Sequence, residues 1–274
     1  MPDHVFDEAM RLTRLEGGEQ GSTWQGGTHP AYWNMVGPFG GYTAAILMQA
    51  LMTDPVRQGT PVSLSVTYAA PIREGAYTVQ TRLVSATRST QHWSVQLVQG
   101  ETVAVNAIAL LAQRRPVWGT RDIAMPDVPP AASLPRLELD PKRPAWVQRY
   151  AFFPQRGGFD AVARGEPTTD TRTEQWVRDE PPRPLDFAAL ASICDVFFPR
   201  IFLHRGSFVP AGTVALTIHF HADEAALAAV GETPVLAVAK GVNYSGGFFD
   251  QEAHIWGADG TLLAASQQMV WYKE

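Results

Sequence analysis

The chain has 274 residues, 45% of them hydrophobic, and a formal net charge of −5. That apolar share is ample for a packed core and excludes a mainly disordered chain, while the scattered basic residues offer no patch for nucleic acid. A single cysteine, Cys194, excludes an internal disulfide. No apolar run reaches the roughly 18 residues of a membrane helix. The expectation is a soluble protein of a reducing cytoplasm, with no membrane or nucleic-acid partner, folded as one large or two small domains.

Residues 1–20 read as a polar, partly helical lead-in with Phe6, Met10 and Leu12 as packing points. They carry several acids and lack the apolar stretch of a signal peptide. Residues 22–33 alternate weakly and predict one or two short strands. The turn Asn34-Met35-Val36-Gly37-Pro38-Phe39-Gly40-Gly41 then opens a strongly apolar helix over 42–52. Two-residue alternation and β-rich runs predict strands at 62–69, 76–86, 92–99 and 102–113, with Gly100-Glu101 as the hairpin turn between the last two.

From 116 to 184 the composition changes: twelve of the 21 prolines fall there, against nine elsewhere. Such a segment predicts a linker or an extended covering rather than core. Only Thr171 to Arg178 within it reads as a strand.

Residues 184–199 form the second apolar helix, and the rest of the chain is organised around it. Asp186 is the expected N-cap, Leu185 and Leu190 a hydrophobic staple, and Pro199 the stop. Phe187, Leu190, Ile193, Val196 and Phe197 make it apolar all round, hence buried. It nevertheless carries Asp195, the only carboxylate between Phe187 and Ala222. Read as a last-turn residue, Asp195 is opposed both by burial and by the helix dipole. Residues that break local rules in this way are often functional; capping of a neighbouring loop is the plain alternative.

Strands are expected again at 214–221, 234–245, 252–257 and 262–272, with Asp259-Gly260 as the turn. The two halves therefore read alike: short strand, buried helix, then four strands with a tight turn before the last. Their turn glycines, Gly100 and Gly260, are offset by 160 residues. This order predicts a duplicated α+β unit, each copy an antiparallel sheet curled around one central helix.

Three segments carry a resemblance to the acyl-CoA thioesterase II family. They are Phe39-Gly40-Gly41, the Asp195 helix followed by Thr213-Val214-Ala215-Leu216-Thr217-Ile218-His219-Phe220-His221, and Asp259-Gly260-Thr261-Leu262-Leu263-Ala264-Ala265-Ser266-Gln267-Gln268. The resemblance implies two fused hotdog domains, at 1–115 and 171–274, with a proline-rich linker at 116–170. It implies hydrolysis of an acyl-CoA thioester in fatty acid metabolism, no cofactor and no metal, and a possible homo-oligomer. Carried over position by position, the family's catalytic Asp, Thr and Gln fall on Asp195, Thr213 and Gln268. Thr217 fits the Thr position less well. Gln267 and Gln268 face opposite sides of their strand, so only one can reach Asp195. One departure stands out: Ala215 and Leu216 replace an Asp-His pair common in the family.

The residue chemistry suits that reading. An Asp can act as general base toward water, and Thr and Gln can hold the water in place. Backbone N–H groups of Phe39-Gly40-Gly41 at a helix start can bind substrate oxygen, although Gly40-Gly41 equally fits close helix–sheet packing. Cys194 has no basic activator and an acidic neighbour, so it makes a poor nucleophile. His219, His221 and Asp223 could edge a metal but are more simply solvated. No Gly-x-Ser-x-Gly elbow, P-loop or dinucleotide fingerprint occurs. The alternatives are a non-catalytic acyl-CoA-binding hotdog protein and, more remotely, an enoyl-CoA hydratase. The latter needs a His five residues after its Asp, where this chain has Arg200.

Overall fold

The computed structural model describes residues 4–158 and 162–273. Twelve strands form one sheet: β1 Thr13–Gly18, β2 Gly21–Gly27, β3 Thr60–Tyr68, β4 Ala76–Ala86, β5 Thr90–Gln99, β6 Thr102–Ala112, β7 Tyr150–Arg156, β8 Thr173–Asp179, β9 Ala211–Phe220, β10 Val235–Ser245, β11 Phe248–Trp256 and β12 Leu262–Tyr272. Their order across it is β1-β2-β4-β5-β6-β3-β9-β12-β11-β10-β8-β7, antiparallel throughout. Read outward from the centre, β3-β6-β5-β4-β2-β1 answers β9-β12-β11-β10-β8-β7 strand for strand, the arrangement of a pseudo-twofold. The duplicated unit expected from the order of elements is therefore present, and the halves join edge to edge along β3 and β9.

That seam runs from Ser63 opposite His219 to Thr67 opposite Ala215. Arg114 clamps it, one guanidinium nitrogen donating to Pro61 O at 2.9 Å and Phe220 O at 2.6 Å. A charged donor suits two backbone carbonyls on different halves, because such bonds are stronger than neutral ones.

Two buried helices lie on one face, α2 (Gly40–Thr53) in the first half and α3 (Phe187–Ile193) in the second; α1 is the short Val5–Ala9. Strand alternation builds the core beneath them: Gln91, Trp93, Val95 and Leu97 of β5 are buried while their neighbours are less so. On β10, Val235, Ala237 and Ala239 join the main core, whereas Leu236 and Val238 pack with Trp176 and Trp256 in a separate cluster. The proline-rich segment covers that second face through Met125, Val128, Ala131 and Leu134. Without this cover the tryptophans would form an exposed apolar patch.

Several local expectations change. The lead-in is helical at α1, as expected, but Thr13–Gly18 is a strand that was not; all six of its residues are exposed, so no alternation betrayed it. Within the interval expected to be linker, Tyr150–Arg156 is edge strand β7, where Pro154 is tolerated. Helix α3 ends at Ile193 with Cys194 as C-cap, so Asp195 lies beyond the helix rather than in its last turn. There Asp195 N donates to Ser192 O and Val196 N to Ile193 O, tightening the exit. Pro199 does not close α3, which ends at Ile193; it stands just before Arg200, the N-cap of α4 (Ile201–Arg205). Asp223 N-caps α5 (Glu224–Val230), an element the sequence did not suggest. The capping role of Asp186 is present: its carboxylate accepts from Ala189 N at 2.8 Å. Among the described residues no helix is long and apolar enough to cross a membrane.

Helices α2 and α3 touch where Gly41 meets the end of α3. A Cβ on Gly41 would stand 2.5 Å from Ser192 O and 2.6 Å from the Phe39 ring. Backbone and a buried ring cannot move aside cheaply, so Gly41→Ala should destabilise the protein by roughly 1–3 kcal/mol. Gly18→Ala, with nothing within 4 Å, is the control and should change stability by less than about 0.5 kcal/mol. Denaturant midpoints of the two variants check this.

Candidate active site

The site lies where the second half's chain leaves α3 and meets the first half's helix α2. Asp195 is 6% exposed and Gln268 3%. The amide nitrogen of Gln268 donates to Asp195 Oδ1 at 2.7 Å and to Cys194 O at 3.2 Å. Its amide oxygen accepts from Thr213 Oγ1 at 3.3 Å, which fixes which end of the amide faces the carboxylate. Asp195, Gln268 and Thr213 thus form one hydrogen-bonded chain, with Thr213 reaching the carboxylate only through Gln268. The last-strand register follows from alternation: Ser266, Gln268 and Val270 are buried, and Gln267 is exposed. Thr217 is elsewhere, donating to Ser65 Oγ across the seam at 3.2 Å.

Ser266 Oγ also donates to Cys194 O, at 3.3 Å. The orphan carbonyl at the end of α3 is therefore held by two side chains of β12. This docking fixes the segment that carries Asp195.

On its other side the carboxylate faces the start of α2. The Gly41 N–H is turned to it and favours its ionised form. A Cβ on Gly40 would stand 2.7 Å from Asp195 Oδ2 and 3.4 Å from the Tyr68 hydroxyl, so a glycine is required for this approach. The dipole acting on Asp195 is thus the positive end of α2 as well as the negative end of α3, contrary to the wholly unfavourable field expected from sequence. Phe39, the N-cap position of α2, is buried and stacks on Trp146 with ring centroids 4.0 Å apart and planes 5° from parallel. It packs within the core, with its ring away from solvent.

Burial raises the Asp195 pKa from its ordinary 3.8 to about 7, against the lowering effect of the Gln268 and Gly41 hydrogen bonds. Burial, with the neighbouring carboxylate, also pushes the Cys194 thiol far up, which removes it as a nucleophile at neutral pH. His219 and His221 are exposed, and no group of three or more candidate ligands among the described residues could hold a metal ion.

Sequence reasoning missed Tyr68, Tyr150 and Ser192. Tyr150 OH and Ser192 Oγ are hydrogen-bonded at 2.7 Å in the wall beside Asp195. Tyr68 donates to Gly40 O at 2.8 Å. It shares the inward phase of buried Leu64 and Val66 on β3, the one signal that could have flagged it.

A helix in each half of a continuous antiparallel sheet, with a buried carboxylate between them, defines a double hotdog of the thioesterase type. Family models agree: the acyl-CoA thioesterase N-terminal domain matches residues 29–112, and the acyl-CoA thioesterase C-terminal domain matches residues 125–272. The chain belongs to the acyl-CoA thioesterase family. It is similar to a conserved protein of unknown function with a hot dog fold from Alicyclobacillus acidocaldarius, at 39% identity over 99% of each chain and a TM-score of 0.92. A protein assigned to thioesterase II from Thermobifida fusca shares the fold at 21% identity, covering 100% of this chain and 99% of the other, TM-score 0.84. An acyl-CoA thioesterase II from Mycobacterium marinum does so at 16% identity, covering 98% and 97%, TM-score 0.72. No curated protein matches the chain.

A carboxyl group whose folded-state pKa lies above its unfolded value costs stability once ionised. The cost grows as pH rises from about 3.8 to about 7 and is full above that. Asp195→Asn removes it, so the variant should gain on the parent across that window by up to a few kcal/mol, then hold level. Urea unfolding at pH 4 and pH 8 measures the difference.

Proposed function

We propose that this chain hydrolyses acyl-CoA thioesters by direct attack of water, with Asp195 as general base. The observation that carries the reading is the Thr213–Gln268–Asp195 chain ending on a buried carboxylate with a pKa of about 7, at the N-terminus of α2. A base of that strength suits proton transfer near neutral pH.

In the proposed reaction Asp195 takes a proton from water as the water oxygen bonds to the thioester carbonyl carbon. The carbonyl π electrons move to its oxygen, and Gly40 N–H at the start of α2 is the donor left for it, since Phe39 N–H donates to Tyr32 O at 2.9 Å and Gly41 N–H is turned to Asp195. Collapse of this oxyanion breaks the C–S bond, and the proton on Asp195 passes to the departing sulfur. Acid and free thiol leave, and the carboxylate is restored. Gln268 holds Asp195 through Oδ1 and is itself held by Thr213, so Oδ2, on the side of α2, is the basic atom of this reading. No cofactor is needed for these steps.

A non-catalytic acyl-CoA-binding role is the competing reading. It rests on Leu216, fully buried in the core where the family often has a polar residue. Thiol release from a panel of acyl-CoAs separates the two: the enzyme liberates thiol, a binder does not.

Two outcomes are expected. Turnover should rise with pH through about 7, as Asp195 ionises, and then level off. Asp195→Asn should keep the fold and lower kcat by roughly 10²–10⁴. Parent-like turnover in the Asn variant would overturn the mechanism.

A further inference from the structure

The peptide joining Gly40 to Gly41 is gripped at both ends. Its N–H, on Gly41, is turned to the Asp195 carboxylate, whose Oδ2 would stand 2.7 Å from a Cβ on Gly40. Its carbonyl, on Gly40, accepts from Tyr68 OH at 2.8 Å, in addition to the bond every first-turn carbonyl makes within a helix. A donor on the carbonyl polarises a peptide and strengthens its N–H, because linked hydrogen bonds reinforce one another. The grip is also geometric: C=O and N–H of one peptide are coplanar, so holding one aims the other.

Tyr68 belongs to the first half and the Asp195–Gln268–Thr213 chain to the second. Tyr68 ends β3 while Thr213 opens β9 on the neighbouring strand, and both are only half-buried beside a carboxylate that is almost wholly covered. From these contacts we infer that Tyr68 is a positioning residue of the site, its hydroxyl orienting and polarising the Gly40–Gly41 peptide whose N–H holds Asp195. For its catalytic consequence this rests on the thioesterase reading above; for its effect on Asp195 it does not.

The surroundings make Asp195 a clean reporter. The titratable groups around it are Tyr68 on β3, Tyr150 on β7 and Cys194 at the end of α3; burial pushes all three upward, away from neutral pH. Gln268 and Thr213 on β12 and β9 do not titrate. Asp195 itself is moved by burial, Gln268 and Gly41.

The test is Tyr68→Phe, with the Asp195 carboxyl titration followed by ¹³C NMR on aspartate-labelled protein and the resonance assigned with Asp195→Asn. Loss of the hydroxyl weakens the Gly41 donor, so the Asp195 midpoint should move to higher pH. The acid limb of kcat should move with it, and the plateau kcat should fall roughly three- to ten-fold while KM for acyl-CoA changes less than about two-fold. Replacing Tyr68 with 3-fluorotyrosine keeps shape and contact but makes a stronger donor, and should lower the midpoint. This second variant decides the matter if the Phe variant does not fold. An Asp195 midpoint unchanged in the folded variants overturns the inference, as does a rise in KM at constant kcat, which would make Tyr68 a substrate contact. A moved midpoint in a protein that releases no thiol sustains the positioning role and overturns the thioesterase reading instead.

Discussion

An ionised carboxyl group taken out of water costs several kcal/mol unless its surroundings replace what hydration supplied. Asp195 is placed where that replacement is partial. Gln268 gives it one strong bond, and the start of α2, with the Gly41 N–H turned to the carboxylate, contributes a favourable field worth about 0.3–2 kcal/mol. Desolvation still outweighs them, and the carboxyl settles near pH 7 rather than near 4. A fuller set of donors would have made it a permanent anion too weak to accept a proton. With fewer it would stay protonated at neutral pH.

This balance depends on the two halves being one body. Asp195, Thr213 and Gln268 come from the second half; Gly40, Gly41 and Tyr68 come from the first. The β3–β9 seam and the Arg114 clamp set their spacing. The pseudo-twofold also shows why the described residues furnish this constellation on one side. The central pair of the seam is Ser65 and Thr217, so Leu64 answers Leu216; Gln268 lies opposite Leu216, and Ala109 lies opposite Leu64. On β6, Ala109 thus stands in the place that Gln268 takes on β12, and a methyl group cannot hold a carboxylate. Asp54, at the end of α2, is also buried but is engaged by Thr81 Oγ1 at 2.6 Å and Val56 N at 3.0 Å within its own half. Duplication kept the frame and left the chemistry on one side.

Long elements with strong patterns were legible from sequence. Helix α2, strands β3 to β6 and the last four strands all lie within a few residues of their expected bounds, since burial on one face imposes the alternation that reveals them. Thr13–Gly18 was not legible because a fully exposed edge strand has no buried face to leave a pattern. Tyr150–Arg156 hid among prolines because an edge strand can accept one. Asp195 itself stood out as an acid in an apolar run. Its environment did not, because the donor that matters belongs to a helix more than 150 residues earlier, and no local window contains it. Tyr68 was invisible for the same reason: a tyrosine in a strand is ordinary until the peptide it touches is known.

The account's central claim is that Asp195 acts as a base toward water and not as a nucleophile. Single-turnover hydrolysis of an acyl-CoA by excess protein in ¹⁸O-labelled water tests it most directly. The account predicts one labelled oxygen in the released acid and none in Asp195. Unlabelled acid with the label in the Asp195 carboxyl would contradict it, since water would then have opened an acyl–aspartyl anhydride.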